Sequence, residues 1–313
     1  METPTRETVR FDSSDGRSQV AGTIWWPATE PVGVVQLVHG MAEYIDRYDH
    51  FANRLTKASF VVCGHDHIGH GRSVMSPDEL GHMNARTGCH ALVTDTGLMR
   101  TLIRERVPRQ LPHFLFGHSM GSFVVRAYIS TCSQGLSGAI ICGTGQVAPV
   151  VARAGNALAR LVCLTRGQDR VSPLLQELTV GQYSRAFEDA LTPLDWLSLN
   201  RDNVEAYQKD ELCGFPFTAG ANAALTELIC KVSDKRSCEG IDRALPLLYI
   251  AGEADPVAGM GKGALAAKAM AEEAGVTDVT CHIYRNMRHE ILNELDKETV
   301  DRDILAWLEG HMK

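Results

Sequence analysis

Short apolar runs alternate with helix-spaced segments at both ends of this 313-residue chain, and this alternation constrains the fold more than any other feature. Continuous apolar runs of this length suit strands that are buried on both faces. Strands that alternate with helices indicate an α/β fold with a mostly parallel sheet. The predicted strands are Val9–Phe11, Val20–Trp26, Gly33–Val38, Phe60–Cys63, His113–Phe116, Ala139–Cys142, Pro246–Ala251 and Val279–Tyr284, the first two as an antiparallel hairpin.

The alternation is interrupted in the middle of the chain. Residues 145–234 have mostly helical spacing, whereas residues 1–144 and 235–313 contain all the predicted strands. We therefore expect a sheet core, built from the two outer segments, that carries an inserted helical cap. Ligands bind at the carboxyl ends of parallel strands, where such an insertion would lie. The helices predicted for the core are Tyr44–Ala58, Ala91–Val107, Met120–Thr131, Lys262–Ala274 and Asp296–Met312.

Composition narrows the class of protein. A net charge of −7 argues against a nucleic-acid partner, which usually requires a basic surface. The nine cysteines contain no CxxC pair and read as free thiols in a reducing compartment. The first residues lack the basic and apolar regions of a signal peptide, and no apolar stretch reaches the length of a membrane span. A cytoplasmic location is the expectation.

One pentapeptide indicates nucleophilic catalysis. Gly117–Gly121 reads GHSMG, directly follows the predicted strand His113–Phe116 and opens a predicted helix. This is the setting of a nucleophile elbow, a tight turn that lifts a serine hydroxyl above the edge of a sheet. Ser119 is therefore the predicted nucleophile. The alternative is a glycine-rich turn in which the serine caps the helix.

A serine hydroxyl needs an adjacent base, and that base needs a group to orient it. His289 follows the last predicted strand and is the predicted base, since His282 lies inside that strand and His311 near the end of the chain. Asp255 follows the preceding strand and is the predicted acid, with Glu253 as the alternative. Two backbone N–H groups should hold the oxyanion, and we assign them to Met41 and Met120.

The histidine-rich segment at residues 65–70 suggests a metal site at first sight. His65, His67 and His70 have a spacing that occurs in binuclear metal hydrolases. In those enzymes an aspartate precedes the third histidine, whereas here Gly69 does. We therefore expect a structural loop and neither a metal nor an organic cofactor.

Five segments, in the right order, resemble the monoacylglycerol lipase and lysophospholipase group of the α/β-hydrolase fold. The resemblance extends from about residue 10 to the end of the chain. The segments are HGMAE at 39–43 with Arg47-Tyr48, DHIGHGRS at 66–73, GHSMG at 117–121, GEADPV at 252–257 and RHEILNE at 288–294.

The resemblance implies an eight-stranded sheet, a helical cap, no cofactor and hydrolysis of monoacylglycerols or lysophospholipids through an acyl-enzyme. It also implies that Glu43 and Arg47 bind the substrate at the polar end of its pocket. The chain departs from the mammalian members after His289, where Glu290 and Asn293-Glu294 stand.

Other functions on the same fold stay open. They are a carboxylesterase for small or xenobiotic esters, an aminopeptidase, an acyltransferase in which an alcohol replaces water, and a non-catalytic binding protein. An aminopeptidase should present acidic residues from the cap to hold the substrate amine. The competent residues at every predicted catalytic position disfavour the binding protein.

The start of the predicted cap has two interpretations. Apolar residues recur there at helical spacing, opposite Arg153, Asn156 and Arg160. The stripe either packs on the sheet domain or forms a lid that admits an acyl chain and touches a membrane surface transiently. Aromatic residues later in the cap, Trp196, Phe215 and Phe217, line an acyl tunnel or form the cap core. The stripe consists of Val147, Val150, Val151, Ala154, Leu158, Leu161 and Val162.

Overall fold

A computed structural model describes residues 5–188 and 190–312 of the chain. Its centre is an eight-stranded sheet in the order β1-β2-β4-β3-β5-β6-β7-β8, in which β2 pairs antiparallel with both β1 and β4 and the other pairs are parallel. The predicted α/β fold is confirmed. The strands are β1 Thr5–Asp12, β2 Gln19–Trp26, β3 Gly33–Val38, β4 Phe60–His65, β5 His113–His118, β6 Gly138–Cys142, β7 Leu247–Gly252 and β8 Val279–Tyr284.

The inner strands form where the apolar runs predict them. Every residue of β3, β4, β5, β6 and β7 is buried, as expected for strands covered on both faces by helices. β4 and β5 extend two residues beyond the predicted ends, through His65 and His118. Polar residues continue these strands because their backbone still pairs in the sheet: Gly22 lies opposite His65, and Cys142 lies opposite His118.

Helices cover both faces of the sheet. The helix predicted from Tyr44 differs at its start: Ile45–Tyr48 is a 3₁₀ turn, and the α-helix begins only at Asp49. The turn follows from two contacts, because the Asp66 carboxylate accepts from the Ile45 N–H and the Tyr48 hydroxyl reaches back to Glu43. The helices of the outer segments are α1 Asp49–Lys57, α2 Gly88–Arg104, α3 Met120–Cys132, α9 Lys262–Glu273 and α10 Lys297–Gly310.

The described part of residues 145–234 contributes helices and no strand to the sheet. The division into core and cap stays a prediction, although all eight strands come from the two outer segments. In the described residues no helix is both long and apolar enough to cross a membrane. The helices between β6 and β7 are α4 Pro149–Arg166, α5 Pro173–Gln176, α6 Arg201–Lys209, α7 Ala219–Ser233 and α8 Arg236–Glu239, with a π-helical turn at Glu177–Gly181.

The packed face of α4 coincides only in part with the apolar stripe, for which both a packed and an outward lid position were open. Its buried residues are Ala152, Ala159 and Val162, which pack near Ala219 and Ala223 of α7. Small side chains let the two helices approach closely, so the alanine face is the one that packs. The larger apolar residues face outward instead: Val150 is 71% exposed, Leu161 55% and Leu164 85%.

A buried arginine fastens both ends of the 145–234 segment to α3. Arg126 donates to the Thr144 hydroxyl at 3.1 Å and the Gly145 carbonyl at 3.0 Å at one end. It donates to the Val232 carbonyl at 2.8 Å at the other end. Among the described residues its hydrogen bonds reach no carboxylate, and burial lowers its pKa.

We predict that Arg126→Met destabilises the protein by about 2–4 kcal/mol, because buried carbonyls at both ends of the segment lose their donor. Urea unfolding of the full chain measures this loss. Arg109→Met, at an exposed position, is the matched control and should stay within about 0.5 kcal/mol of the parent. Equal stability of the two variants would contradict the role given to Arg126.

Candidate functional site

Ser119 lies in a strained turn between β5 and α3. Its backbone has φ 53° and ψ −120°, a region that non-glycine residues rarely adopt. The turn is held by a hydrogen bond of 3.0 Å from the Ser119 N–H to the Cys142 carbonyl of β6. A Cβ on Gly121 would lie 2.0 Å from the Val38 carbonyl oxygen, and one on Gly117 would lie 2.4 Å from the Gly121 carbonyl oxygen. The GxSxG glycines are therefore required by close backbone approach.

The predicted base and acid lie side by side at the carboxyl ends of β8 and β7. His289 Nδ1 is 2.9 Å from Asp255 Oδ1, and both residues are buried. That carboxylate oxygen also accepts from the Val257 N–H at 2.9 Å and the Ala258 N–H at 3.2 Å. An acceptor at Nδ1 favours the tautomer that leaves Nε2 able to take a proton. Glu253, the alternative acid, is exposed.

Two aromatic rings enclose the His289 imidazole. Trp196, which precedes α6, lies with its ring centroid 5.2 Å away, and His118 lies 4.7 Å away. Trp196 in turn contacts Tyr183 at 5.1 Å. Trp196 thus serves both predicted roles, since it belongs to an apolar cluster with Leu197 and also lines the cavity in front of the imidazole.

The loop after β3 presents an unpaired backbone donor. Among the described residues neither the Met41 N–H nor the Met120 N–H has a hydrogen-bond acceptor. Ala42 has φ 53°, and three groups hold it in this conformation. Its N–H donates to His70 Nε2 at 3.2 Å, while its carbonyl accepts from the Tyr207 hydroxyl and the Gly214 N–H, each at 2.9 Å.

His67 and His70 of the histidine-rich segment form hydrogen bonds with the loop after β3. His70 Nδ1 lies 2.9 Å from the Ile68 carbonyl, so its Nε2 is free to accept from Ala42. The His67 N–H donates to His39 Nε2 at 2.9 Å. Burial lowers the pKa of His39 to about 3 and that of His65 and His70 to about 4, so these rings are neutral. In the described part of the chain no group of three or more His, Cys, Asp or Glu side chains is placed to hold a metal ion.

Arg47 bridges two carboxylates from different loops. Its guanidinium lies 2.7 Å from Glu43 Oε2 and contacts both oxygens of Glu290 at 2.8 Å. Asn203 of α6 donates to Glu290 at 2.7 Å, and the guanidinium lies 4.8 Å from the centre of the Tyr207 ring. Arg47 does not line the cavity in front of Ser119. Its contacts hold the Glu43 and Glu290 side chains in position, and its predicted substrate binding stays a prediction.

Glu43 connects the ion pairs of Arg47 to the loop after β3, which carries the predicted oxyanion donor Met41. One of its oxygens accepts from the Gly40 N–H at 2.6 Å and the Tyr48 hydroxyl at 2.9 Å. Burial alone would raise the pKa of Glu43, but the hydrogen bond with His118 and the charge of Arg47 outweigh it and hold the pKa well below its usual range. Burial also opposes ionisation of Glu290, yet Arg47 lowers its pKa. Both side chains are carboxylates.

A cavity of about 620 Å³ opens in front of Ser119 and His289. This volume lies within the range of small-molecule sites. Glu43 is on its wall, although its oxygens are already engaged, and its predicted substrate binding stays a prediction. Apolar side chains form most of the wall away from the serine: Phe123, Val147, Val151, Leu194, Leu197, Phe215, Leu225, Ile229 and Val257.

Sequence reasoning missed four residues around the predicted triad. His118 and Trp196 contact the imidazole, His70 holds the oxyanion loop and Glu290 pairs with Arg47. A signal existed for three of them: His70 lies in the DHIGHGRS segment, His118 in GHSMG and Glu290 in RHEILNE. No pattern in the sequence pairs Trp196 with His289.

A family model agrees with this geometry. The Hydrolase_4 model, described as serine aminopeptidase, S33, matches residues 29–296, which is most of the chain. The chain belongs to this family. The Hydrolase_4 match includes all three predicted triad positions and both predicted oxyanion donors.

Curated relatives of this Hydrolase_4 member are lipases. A monoacylglycerol lipase from Mycolicibacterium smegmatis is 27% identical over 303 residues, which cover 95% of each chain. The human monoglyceride lipase is 27% identical over 295 residues, covering 91% of this chain and 84% of that one. A solved carboxyl esterase from Bacillus coagulans, in complex with glycerol, has a TM-score of 0.91 at 28% identity and covers 99% and 100% of the two chains. The predicted resemblance is confirmed, and with it the enzyme class of carboxylic ester hydrolase.

We predict that Gly40→Ala lowers kcat/KM for a soluble p-nitrophenyl ester about 100-fold, the order of loss caused by a 1 Å misplacement in an active site. The new Cβ would lie 2.7 Å from Glu43 Oε1 and 3.1 Å from the Ser119 Cβ, so either the Glu43 carboxylate, which accepts from the Gly40 N–H, or the loop carrying Met41 must shift. Gly310→Ala is the control, because its Cβ meets nothing within 4 Å. Parental activity in Gly40→Ala would show that this loop does not shape the site.

Proposed function

We propose that the protein hydrolyses monoacylglycerols through an acyl-enzyme on Ser119. His289 takes the proton of the Ser119 hydroxyl as that oxygen attacks the ester carbonyl. Asp255 holds the imidazole tautomer and stabilises the imidazolium that forms. The N–H groups of Met41 and Met120 stabilise the oxyanion. The observation that supports this role is that neither N–H has another acceptor among the described residues.

The second half of the reaction uses the same residues. His289 returns the proton to the departing alcohol, and the acylated serine then reacts with water, from which His289 removes a proton. The tetrahedral intermediate collapses, the fatty acid leaves and Ser119 recovers its proton. His289 relays both protons in the scheme: the alcohol receives the proton of Ser119, and Ser119 receives a proton from the attacking water.

The cavity supports an ester with a long apolar acyl chain. Its wall is mostly apolar away from Ser119, whereas Glu43 and Glu290 give it a polar border beside the triad. The curated relatives named monoacylglycerol lipase favour a monoacylglycerol. A lysophospholipid presents the same acyl ester with a larger head group and is the second candidate within this class.

The charges in the cavity argue against an aminopeptidase. Glu43 and Glu290 both pair with Arg47, so neither is available to hold a substrate amine. Glu177 is a carboxylate of the predicted cap on the cavity wall, and Arg185 lies 2.6 Å from it. An activity on amino-acid amides would single out Glu177 as the group that binds the amine.

We predict that the parent cleaves monoacylglycerols in a panel with lysophosphatidylcholine, short p-nitrophenyl esters and amino-acid amides, and that Ser119→Ala loses at least about 10⁴-fold in kcat. The serine variant should keep the parental unfolding midpoint and lose labelling by a fluorophosphonate probe. Retained hydrolysis in Ser119→Ala excludes this nucleophile. A preference for amides or short esters excludes the lipid substrate, and added alcohol tests for acyl transfer.

We also propose that the outer face of α4 contacts a lipid surface transiently. Val150, Ala154, Ala157, Leu161 and Leu164 form one row along this helix at helical spacing, and each is exposed. Water contacts a continuous apolar row here, and burying it in a membrane interface is favourable. The position of α4 over the cavity, where Val151 lines the wall, would bring the entrance close to a lipid substrate.

We predict that Leu161→Ser with Leu164→Ser reduces co-flotation with phosphatidylcholine vesicles and lowers activity on vesicle-bound monoacylglycerol several-fold. The double variant should cleave a soluble p-nitrophenyl ester at the parental rate, because neither side chain lines the cavity. Leu265→Ser, at an exposed position on α9, is the control. Absence of vesicle binding by the parent, with or without substrate, would refute the membrane contact.

A further inference from the structure

Both ring nitrogens of His118 face oxygen acceptors. Nδ1 lies 3.4 Å from Glu43 Oε1, and Nε2 lies 3.2 Å from the backbone carbonyl oxygen of His289. A neutral imidazole carries one N–H, so one of its nitrogens would direct a lone pair at an oxygen. Only the imidazolium donates from both nitrogens. The ring is buried, which leaves little room for water to relieve such a contact.

The charges around His118 require a second cation. Glu43 and Glu290 are buried carboxylates, whereas Arg47, with a side chain only 10% exposed, is one guanidinium, so these three groups leave one uncompensated negative charge. An unbalanced charge in a protein interior is costly. Burial keeps the nearby tyrosines, cysteines and one histidine uncharged, because it raises the pKa of Tyr48, Tyr207, Cys142 and Cys213 and lowers that of His39. His289, whose ring centroid lies 4.7 Å from that of His118, is paired with the Asp255 carboxylate and so does not balance Glu43 and Glu290.

We propose that His118 is a positively charged positioning residue. Its imidazolium balances the one negative charge that Arg47 leaves uncompensated on Glu43 and Glu290. It also links the His289 backbone to the loop after β3. One N–H holds the His289 carbonyl. The other holds Glu43, which itself accepts from the Gly40 N–H. The ring acts through these neighbours and not on the substrate.

The surrounding charges stabilise this protonated form. Burial disfavours a charged ring, but the hydrogen bond and the charge of Glu43, followed by the charge of Glu290, outweigh it and raise the pKa of His118. A histidine whose pKa is raised in the folded state stabilises the fold at low and neutral pH. That contribution is lost as the pH rises through the folded-state pKa. Loss of the proton also removes one of the two N–H contacts, so activity should fall on the alkaline side.

Glu290 gives a specific test of the charge balance. Glu290→Gln keeps a side chain of the same shape but removes the surplus negative charge, so His118 should lose its proton about 1–3 pH units lower. Glu294→Gln is the matched control from the same loop, because Glu294 accepts from the backbone N–H groups of Arg288 and Leu199. The control should leave the His118 titration unchanged.

The experiment is nitrogen NMR of the full-length protein with ¹⁵N-labelled histidine, titrated between about pH 5 and 10. We expect one histidine, identified by its absence in His118→Gln, to carry protons on both ring nitrogens at pH 7. We expect Glu290→Gln to shift that titration downward, together with the alkaline decline of kcat. In His118→Gln that decline should disappear.

A single ring proton on His118 at pH 7, or a titration that Glu290→Gln does not move, overturns the proposal. The link to activity rests on the proposed role of His289, and the NMR separates the two. A charged His118 in a protein that cleaves no ester would leave the charge assignment standing and remove the proposed function. Ester cleavage with a neutral His118 would do the reverse.

Discussion

The left-handed backbone of Ser119 is the constraint on which the rest of the site depends. A serine accepts that conformation only where its neighbours hold it, and here two glycines let α3 and β3 approach within distances that no Cβ allows. The turn places Ser119 at the carboxyl end of β5, and Met120 follows it as the first residue of α3. Every other functional residue is placed relative to this point, because the loops after β3, β7 and β8 end at the same edge.

Buried ionic and hydrogen-bonding contacts connect those loops. Arg47 joins Glu43, which lies beside the oxyanion donors, to Glu290, which follows His289 directly. His118 adds a second connection between the same two loops. An ester hydrolase needs its oxyanion donors and its base at fixed positions before the substrate arrives. The contacts of Arg47 and His118 hold these loops together without involving the side chains of Ser119, Asp255 or His289.

The sequence predicts the sheet, the elbow and the positions of Asp255 and His289, because these depend on local patterns and on the order of strands. It does not predict which face of α4 packs inward. The apolar stripe with Val150 and Leu161 allowed either a packed face or an outward lid, and the small residues of α7 select Ala152 and Ala159 as the packed face. Glu290 and Trp196 were missed for a related reason. Their partners lie about 100 to 240 residues away along the chain, and no periodicity records such contacts.

The central claim is a covalent acyl group on Ser119, and rapid-quench mass spectrometry with a monoacylglycerol tests it most directly. The account predicts that protein quenched during turnover gains the mass of the fatty acid minus one water. Proteolysis should assign that gain to the peptide containing Ser119. Steady turnover with the acyl group on another residue would contradict the mechanism.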